Sequence, residues 1–147
     1  MAAALTAVPA LLVWCTDWQE MANDTFAQFF GHTLPFLPRP WGTETRWWKL
    51  DAIHRHLDEH PHVTRVIWAD DHLNKRDTDE GLRRKQIATR ELKKRGVGSF
   101  LIVPESTIGL KKRDLSAALA WLNDPTPKSN ECQHDSRSLA GGALNEP

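Results

Sequence analysis

The sequence predicts an α/β fold: a small parallel sheet covered by helices. Three short apolar runs, at residues 10–15, 63–68 and 99–103, have the length and the apolar and aromatic content of buried strands. Around them lie segments whose apolar residues recur at helical spacing. The resulting order is βα, loop, α, βα, βα, the alternation that a parallel sheet requires. At 147 residues the chain is expected to form one domain over 1–122, followed by a polar, disordered tail at 123–147.

The run ALLVWC at 10–15 is the first expected strand, with Thr16 and Asp17 at its carboxyl end. Trp18, Met21, Ala22, Thr25, Phe26, Phe29 and Phe30 then mark an amphipathic helix. Asp17 with Glu20 is a candidate capping box, and Gly31 a candidate stop. Residues 32–46 hold three prolines and a glycine, so they are expected to be a loop, long enough to suggest a functional role. Residues 47–57 read as a helix with Leu50, Ile53 and Leu57 on one face, closed by Pro61. Lys49 falls in its first turn, where a cation opposes the helix dipole.

The strand at 63–68 ends on two adjacent carboxylates, Asp70 and Asp71. Asp77 with Glu80 suggests a second capping box. The helix after it is expected to run to about Arg95 and stop at Gly96, with Leu82, Ala88 and Leu92 as a thin apolar face. The third strand, 99–103, is stopped by Pro104, and a loop with Gly109 leads to the last helix. There Leu115, Ala118, Leu119 and Leu122 fall at i, i+3, i+4 and i+7.

Nineteen basic residues balance nineteen acidic ones, so global charge selects neither nucleic acid nor membrane, and any preference must be local. Cys15 and Cys132 lie far apart and form neither a disulfide framework nor a zinc pattern, which points to a reducing, cytoplasmic setting. The opening MAAALTAVPALLVWC is apolar like a secretion signal. It lacks a basic start, Pro9 interrupts it, and no small-residue cleavage site follows. No apolar run approaches the length of a bilayer span, so no membrane partner is expected.

Four residues stand where this architecture gathers ligands: Thr16, Lys49, Asp70 and Asp71. A hydroxyl, an ammonium and paired carboxylates together suit a phosphate with Mg²⁺. Each also has a plainer reading: Thr16 as a helix cap, Lys49 as a surface lysine, the aspartates as a turn. Other groups compete. His56 and His60 are spaced to share a helix face as metal ligands, with His54 and His62 nearby. Pro61 interrupts that helix and no cysteine or acidic pattern joins them, so solvated histidines are expected. Arg83, Arg84, Lys85, Arg90, Lys93, Lys94 and Arg95, with a second stretch at 111–113, would suit a polynucleotide backbone or simply form solvated faces. Trp41, Trp47 and Trp48 would either stack on a base or pack the loop onto the sheet. Cys15, in a buried strand without a basic neighbour in sequence, is not expected to be reactive.

LLVWCT at 11–16, a lysine at a helix start, and VIWADD at 66–71 resemble, in that order, motifs II, III and IV of the haloacid dehalogenase-like (HAD) hydrolases. The finer resemblance is to a small actinobacterial and phage HAD group related to HAD domains proposed for RNA repair. It is carried by VWCTDWQEMAN at 13–23, WWK at 47–49, WADD at 68–71, GL at 109–110 and WL at 121–122, and covers residues 10–122. The resemblance implies a HAD-like, Rossmannoid parallel sheet. It also implies Thr16 as the phosphate-binding hydroxyl, Lys49 as the motif III lysine, and Asp70 and Asp71 as the acids that hold Mg²⁺. This sequence departs from the family at one point. HAD enzymes begin with a central strand ending in DxD, whose first aspartate is the nucleophile and whose second is the general acid-base. No DxD lies upstream of Val13, and the first acidic residue, Asp17, follows the threonine and is a poor substitute. The expectation is therefore a phosphohydrolase-like domain missing its first central strand and incomplete or inactive alone. It would act on a phosphorylated small molecule or nucleic acid end, with a complementing chain supplying the strand. The alternative is a non-catalytic module that binds phosphate, RNA or a protein partner.

Overall fold

The computed structural model describes residues 10–39, 47–105 and 107–126. In chain order the elements are α1 (Met21–Phe30), α2 (Trp48–Glu59), β1 (Arg65–Ala69), a 3₁₀ turn (Asp71–Asn74), α3 (Arg84–Lys94), β2 (Gly98–Ile102) and α4 (Lys112–Asn123). β1 and β2 pair in parallel, from Arg65 opposite Gly98 to Ala69 opposite Ile102, with α3 as the crossover. The fold is mixed α/β, with four helices and a two-stranded parallel sheet.

Alternation along the strands sorts their side chains to two faces. Val66, Trp68, Ser99 and Leu101 lie on the face that meets the main core, built with Leu50, Ile53 and Leu57 of α2 and Ile87, Ala88 and Leu92 of α3. The other face is covered by α4 at β2. There Trp121 lies against Phe100, and a Cβ on Gly98 would meet the Trp121 ring at 3.4 Å, so the helix approaches where the strand has no side chain. Arg65 ties α4 to the sheet: its guanidinium sits over Trp121, and Nη1 donates to the Leu122 carbonyl at 2.6 Å. On the same face of β1, Ile67 and Ala69 stay exposed, and the second edge of β1 takes no strand partner among the described residues.

The segment 10–15 is not a strand of this sheet. Trp14 alone makes a parallel bridge, to Phe36, through Trp14 N–H to Pro35 O and Leu37 N–H to Trp14 O, both 2.8 Å. Pro35 has no N–H to extend the pairing on one side. On the other, the Arg39 amide donates to Gln19 Oε1 while the Thr16 carbonyl accepts from the Gln19 amide, so the pairing with this loop does not lengthen into a ladder. Asn23 closes the unit instead. Its side chain bonds both the N–H and the carbonyl of Leu34 and accepts from the Trp14 indole at 2.9 Å. Val13 and Cys15 still pack against the core, which is why the run is apolar.

Two helix starts also differ from expectation. α1 begins at Met21 because Gln19 adopts a left-handed conformation (φ 50°) and breaks the run; Asp17 is therefore not its cap. Gly31 ends it in the left-handed conformation, as expected. α3 begins at Arg84, because the Asp77 carboxylate accepts from the amides of Asp79 and Glu80 and holds a separate turn. Leu82 is thus outside the helix and partly exposed, and Ile87 takes its place on the apolar face. No helix among the described residues is long and apolar enough to cross a membrane. Residues 1–9, 40–46, 106 and 127–147 lie outside the described part, and with them Trp41, Cys132 and nearly all of the expected tail.

Candidate functional site

The carboxyl end of β1 delivers Asp70 into the interior. Its side chain is buried, with Oδ2 2.8 Å from the Lys49 ammonium and Oδ1 accepting from the His72 amide at 2.8 Å. The second bond caps the 3₁₀ turn, which Leu73, completely buried, pins to the core. Lys49 reaches Asp70 from the first turn of α2 and is itself only 7% exposed. That placement resolves the unfavourable dipole position: the ammonium is directed inward to a carboxylate rather than outward to water.

A third charge joins the pair. Asp17 Oδ2 lies 3.9 Å from the Lys49 ammonium, while Asp17 Oδ1 accepts from the Trp48 indole at 2.9 Å and stands 3.9 Å from Arg39. Asp17 is about half exposed, so the Lys49 ammonium sits between a buried and a solvent-facing carboxylate. Sequence reasoning did not assign Asp17 this position. The available signal was its adjacency to Thr16, together with an indole donor next to Lys49.

Thr16 lies beside this cluster in sequence, but its hydroxyl oxygen accepts from the Trp18 amide at 3.3 Å, closing a local turn. Asp71 is exposed at the start of the 3₁₀ turn. Among the described residues no hydrogen bond joins Thr16 or Asp71 to Lys49 or Asp70. The structure therefore brings two of the four expected residues into contact and adds Asp17. The donors at this end of β1 are all hard oxygens, and each Asp70 oxygen keeps a lone pair beyond the bond it already accepts. A buried and a solvent-open carboxylate in succession match Mg²⁺, which takes one or two carboxylates and keeps several waters.

The neighbouring groups settle into other roles. Trp47 is buried and stacked on Trp68 with centroids 4.8 Å apart, and Trp48 is buried with its indole on Asp17, so neither offers a face to a base. Within the basic stretch at 83–95, Arg90 pairs with Glu80 and Glu91, Lys94 with Glu91, and Arg95 with Asp58, while Arg84 lies over Trp47. Hydrogen bonds from Lys94 and Arg90 hold the Glu91 carboxyl below its usual range. A cleft bordered by Asp58, Pro61, Thr64 and Arg95 lies at the amino end of the strands and shares no residue with the Lys49 site. Burial lowers the pKa of His54, helped by the Arg95 charge, and burial with neighbouring His60 and His62 lowers that of His56.

Cys15 directs its thiol toward the Lys49 carbonyl, 3.9 Å away. Burial pushes its pKa up to about 12, with the Lys49 charge opposing the shift and Asp70 and Asp17 adding to it. At pH 8 the thiolate fraction is then about 10⁻⁴. Iodoacetamide is expected to leave Cys15 unmodified in the native chain and to label it fully in denaturant. Peptide mapping by mass spectrometry checks this; labelling of native Cys15 at the rate of the denatured residue contradicts it.

Comparison with protein-family models, with curated proteins and with solved structures yields no match to this chain.

Proposed function

We propose that Thr16, Lys49, Asp70 and Asp71 form the phosphate- and Mg²⁺-binding part of a HAD-type phosphohydrolase site. The substrate is a phosphorylated small molecule or a nucleic acid end. The observation that supports this most is the Lys49–Asp70 pair, buried at 2.8 Å at the carboxyl end of a parallel strand. That is where ligands bind in open α/β sheets. A buried ion pair is weak as a stabilising device, so its position there favours a role in recognition. The ammonium has three donors and only one is taken by Asp70, so it retains capacity for a phosphoryl oxygen on the Asp17 side.

In this reading Lys49 neutralises charge on the phosphoryl group and the Thr16 hydroxyl turns to donate to it. Asp70 and Asp71 would hold Mg²⁺, which when bound supplies further charge neutralisation. The nucleophilic aspartate comes from a strand with DxD laid along the edge of β1 that has no strand partner among the described residues. The chain does contain the spacing Asp77-Thr78-Asp79, but there it follows a 3₁₀ turn and Asp77 Oδ1 is held by two backbone amides. The second reading, a non-catalytic module binding phosphate, RNA or a partner, is favoured by the engagement of both Asp70 oxygens within the chain.

The test is Mg²⁺-dependent hydrolysis of an aryl phosphate by the purified chain, with and without a synthetic apolar strand peptide ending in DxD. Turnover is expected only with the peptide, and is expected to fall at least about 10²-fold in Asp70→Asn. Turnover by the chain alone would place the nucleophile within it, with Asp17 the first to replace. If inorganic phosphate binds wild type and Thr16→Val equally and no peptide restores turnover, the phosphohydrolase reading is wrong.

A further inference from the structure

We propose that His56, Glu59 and His60 bind one divalent transition-metal ion of the Zn²⁺ class, at a site separate from Lys49 and Asp70. Among the described residues they are the one set of three His, Cys, Asp or Glu side chains whose ligand atoms all lie within 4.8 Å of one another. Lys49 is in the first turn of α2 and Glu59 is its last residue, which separates the two places by about 15 Å along the helix.

Helix geometry makes the set. α2 continues through Glu59, so residues 56, 59 and 60 project from one side at i, i+3 and i+4. Glu59 thus supplies the acidic ligand beside the two histidines. Pro61 does not disperse the histidines either. The Val63 amide donates to the His60 carbonyl at 3.0 Å, and this turn folds His62 back until its ring lies 6.0 Å from that of His60, edge to face. The His56 and His60 rings are stacked with centroids 4.1 Å apart.

One hydrogen bond settles which His60 nitrogen can ligate. Its Nδ1 lies 2.9 Å from the His56 carbonyl oxygen, which also accepts the His60 amide at 3.0 Å. A carbonyl oxygen only accepts, so Nδ1 carries the proton and Nε2 presents the lone pair. A backbone carbonyl holding the far nitrogen of a ligating histidine is the usual support for such a ligand. The C-terminal end of a helix also favours a cation through its aligned carbonyl dipoles.

The donor set selects the ion. Two imidazoles with one carboxylate suit Zn²⁺, Co²⁺ or Ni²⁺, whereas Mg²⁺ prefers oxygen alone. Bonds of about 2.0–2.2 Å bring tetrahedral ligand atoms to about 3.3 Å from one another. Glu59 is exposed and both histidines are half-buried, so side-chain rotation at the surface closes that spacing without moving the core. Three protein ligands leave a fourth position to water, with His62 at its rim.

The test uses the full, metal-stripped chain without a histidine tag, titrated with Zn²⁺ by calorimetry and with Co²⁺ by visible absorption. One equivalent of Zn²⁺ is expected to bind. Its affinity is expected to fall at least about tenfold in His56→Ala and in His60→Ala, and to stay within about twofold in Asp70→Asn. Far-UV circular dichroism verifies folding, and Glu59→Gln, at an exposed residue, serves as a further ligand variant with a weaker Zn²⁺ affinity. Absence of Zn²⁺ uptake by wild type overturns the proposal. So does uptake of equal affinity by the wild type and the three ligand variants.

Discussion

Replacing Lys49 by methionine is expected to lower the unfolding free energy by about 3–5 kcal/mol. The substitution keeps the length and apolar stem of the side chain but removes the ammonium. Asp70 then remains a buried carboxylate supported only by the His72 amide. The cost is that of an uncompensated charge, which is why it exceeds the small net worth of the pair itself. Asp17 also loses its neighbour, but it is half exposed and water screens it. Asp70→Asn should cost less, since the amide oxygen can still cap the 3₁₀ turn and Lys49 keeps Asp17 at 3.9 Å. The double variant, Lys49→Met with Asp70→Asn, should cost less than the two single losses added, by about 0.5–3 kcal/mol. Urea unfolding at constant m-value measures all three. If the single losses add to within about 0.5 kcal/mol, the two groups do not depend on one another and the proposed site loses its main support.

Trp47→Ala is the second large loss, expected at about 3–5 kcal/mol. Trp47 stands immediately before α2, two residues ahead of Lys49, and its ring stacks on Trp68, two residues ahead of Asp70. Removing it opens a cavity between the two elements that deliver the ion pair, and deprives the Arg84 guanidinium of the ring 5.2 Å away. Trp47→Phe should cost well under half as much. It keeps an aromatic face for Trp68 and removes an indole N–H that is buried without a hydrogen-bond partner among the described residues. Unfolding followed by far-UV circular dichroism gives the stabilities, and the near-UV signal of the stacked indoles should vanish in Trp47→Ala. Equal losses in the two variants would show that an aromatic face alone does not hold this junction and that the full indole volume is needed.

Much of the scaffold was legible from local pattern. Leu50, Ile53 and Leu57 recur at a helical period because one side of α2 meets the sheet, and all three are buried. β1 and β2 lie within a residue or two of where their apolar runs suggested. Gly31 stops α1 as a left-handed cap. The site was legible in part. Lys49 in a first turn and Asp70 at a strand end were each conspicuous for being in places that local propensity does not favour or require. Their contact spans 21 residues and has no local signature. Neither does the Trp48–Asp17 bond, which spans 31. The His56, Glu59 and His60 spacing was present in the sequence, but reading Pro61 as an early helix end concealed that Glu59 is still helical.

The sequence by itself determined where the helices and the two sheet strands would lie and, for α2, which face would be buried, because these follow from side-chain period and from turn residues acting on their neighbours. On α1 the expected apolar face is buried only at Ala22, with Met21 and Phe29 exposed. Tertiary structure alone decided what each segment paired with. The apolar run at 10–15 had the character of a strand, yet an extended segment becomes a sheet strand only when another backbone presents matching donors and acceptors along its length. Here Trp14 meets a loop in which Pro35 lacks a donor and the Arg39 amide is taken by Gln19, so one bridge forms and the sheet has two strands among the described residues. Tertiary structure likewise made Asp17 the second carboxylate on Lys49 instead of a helix cap, since ion pairs form where folding brings charges together and not where the chain lists them.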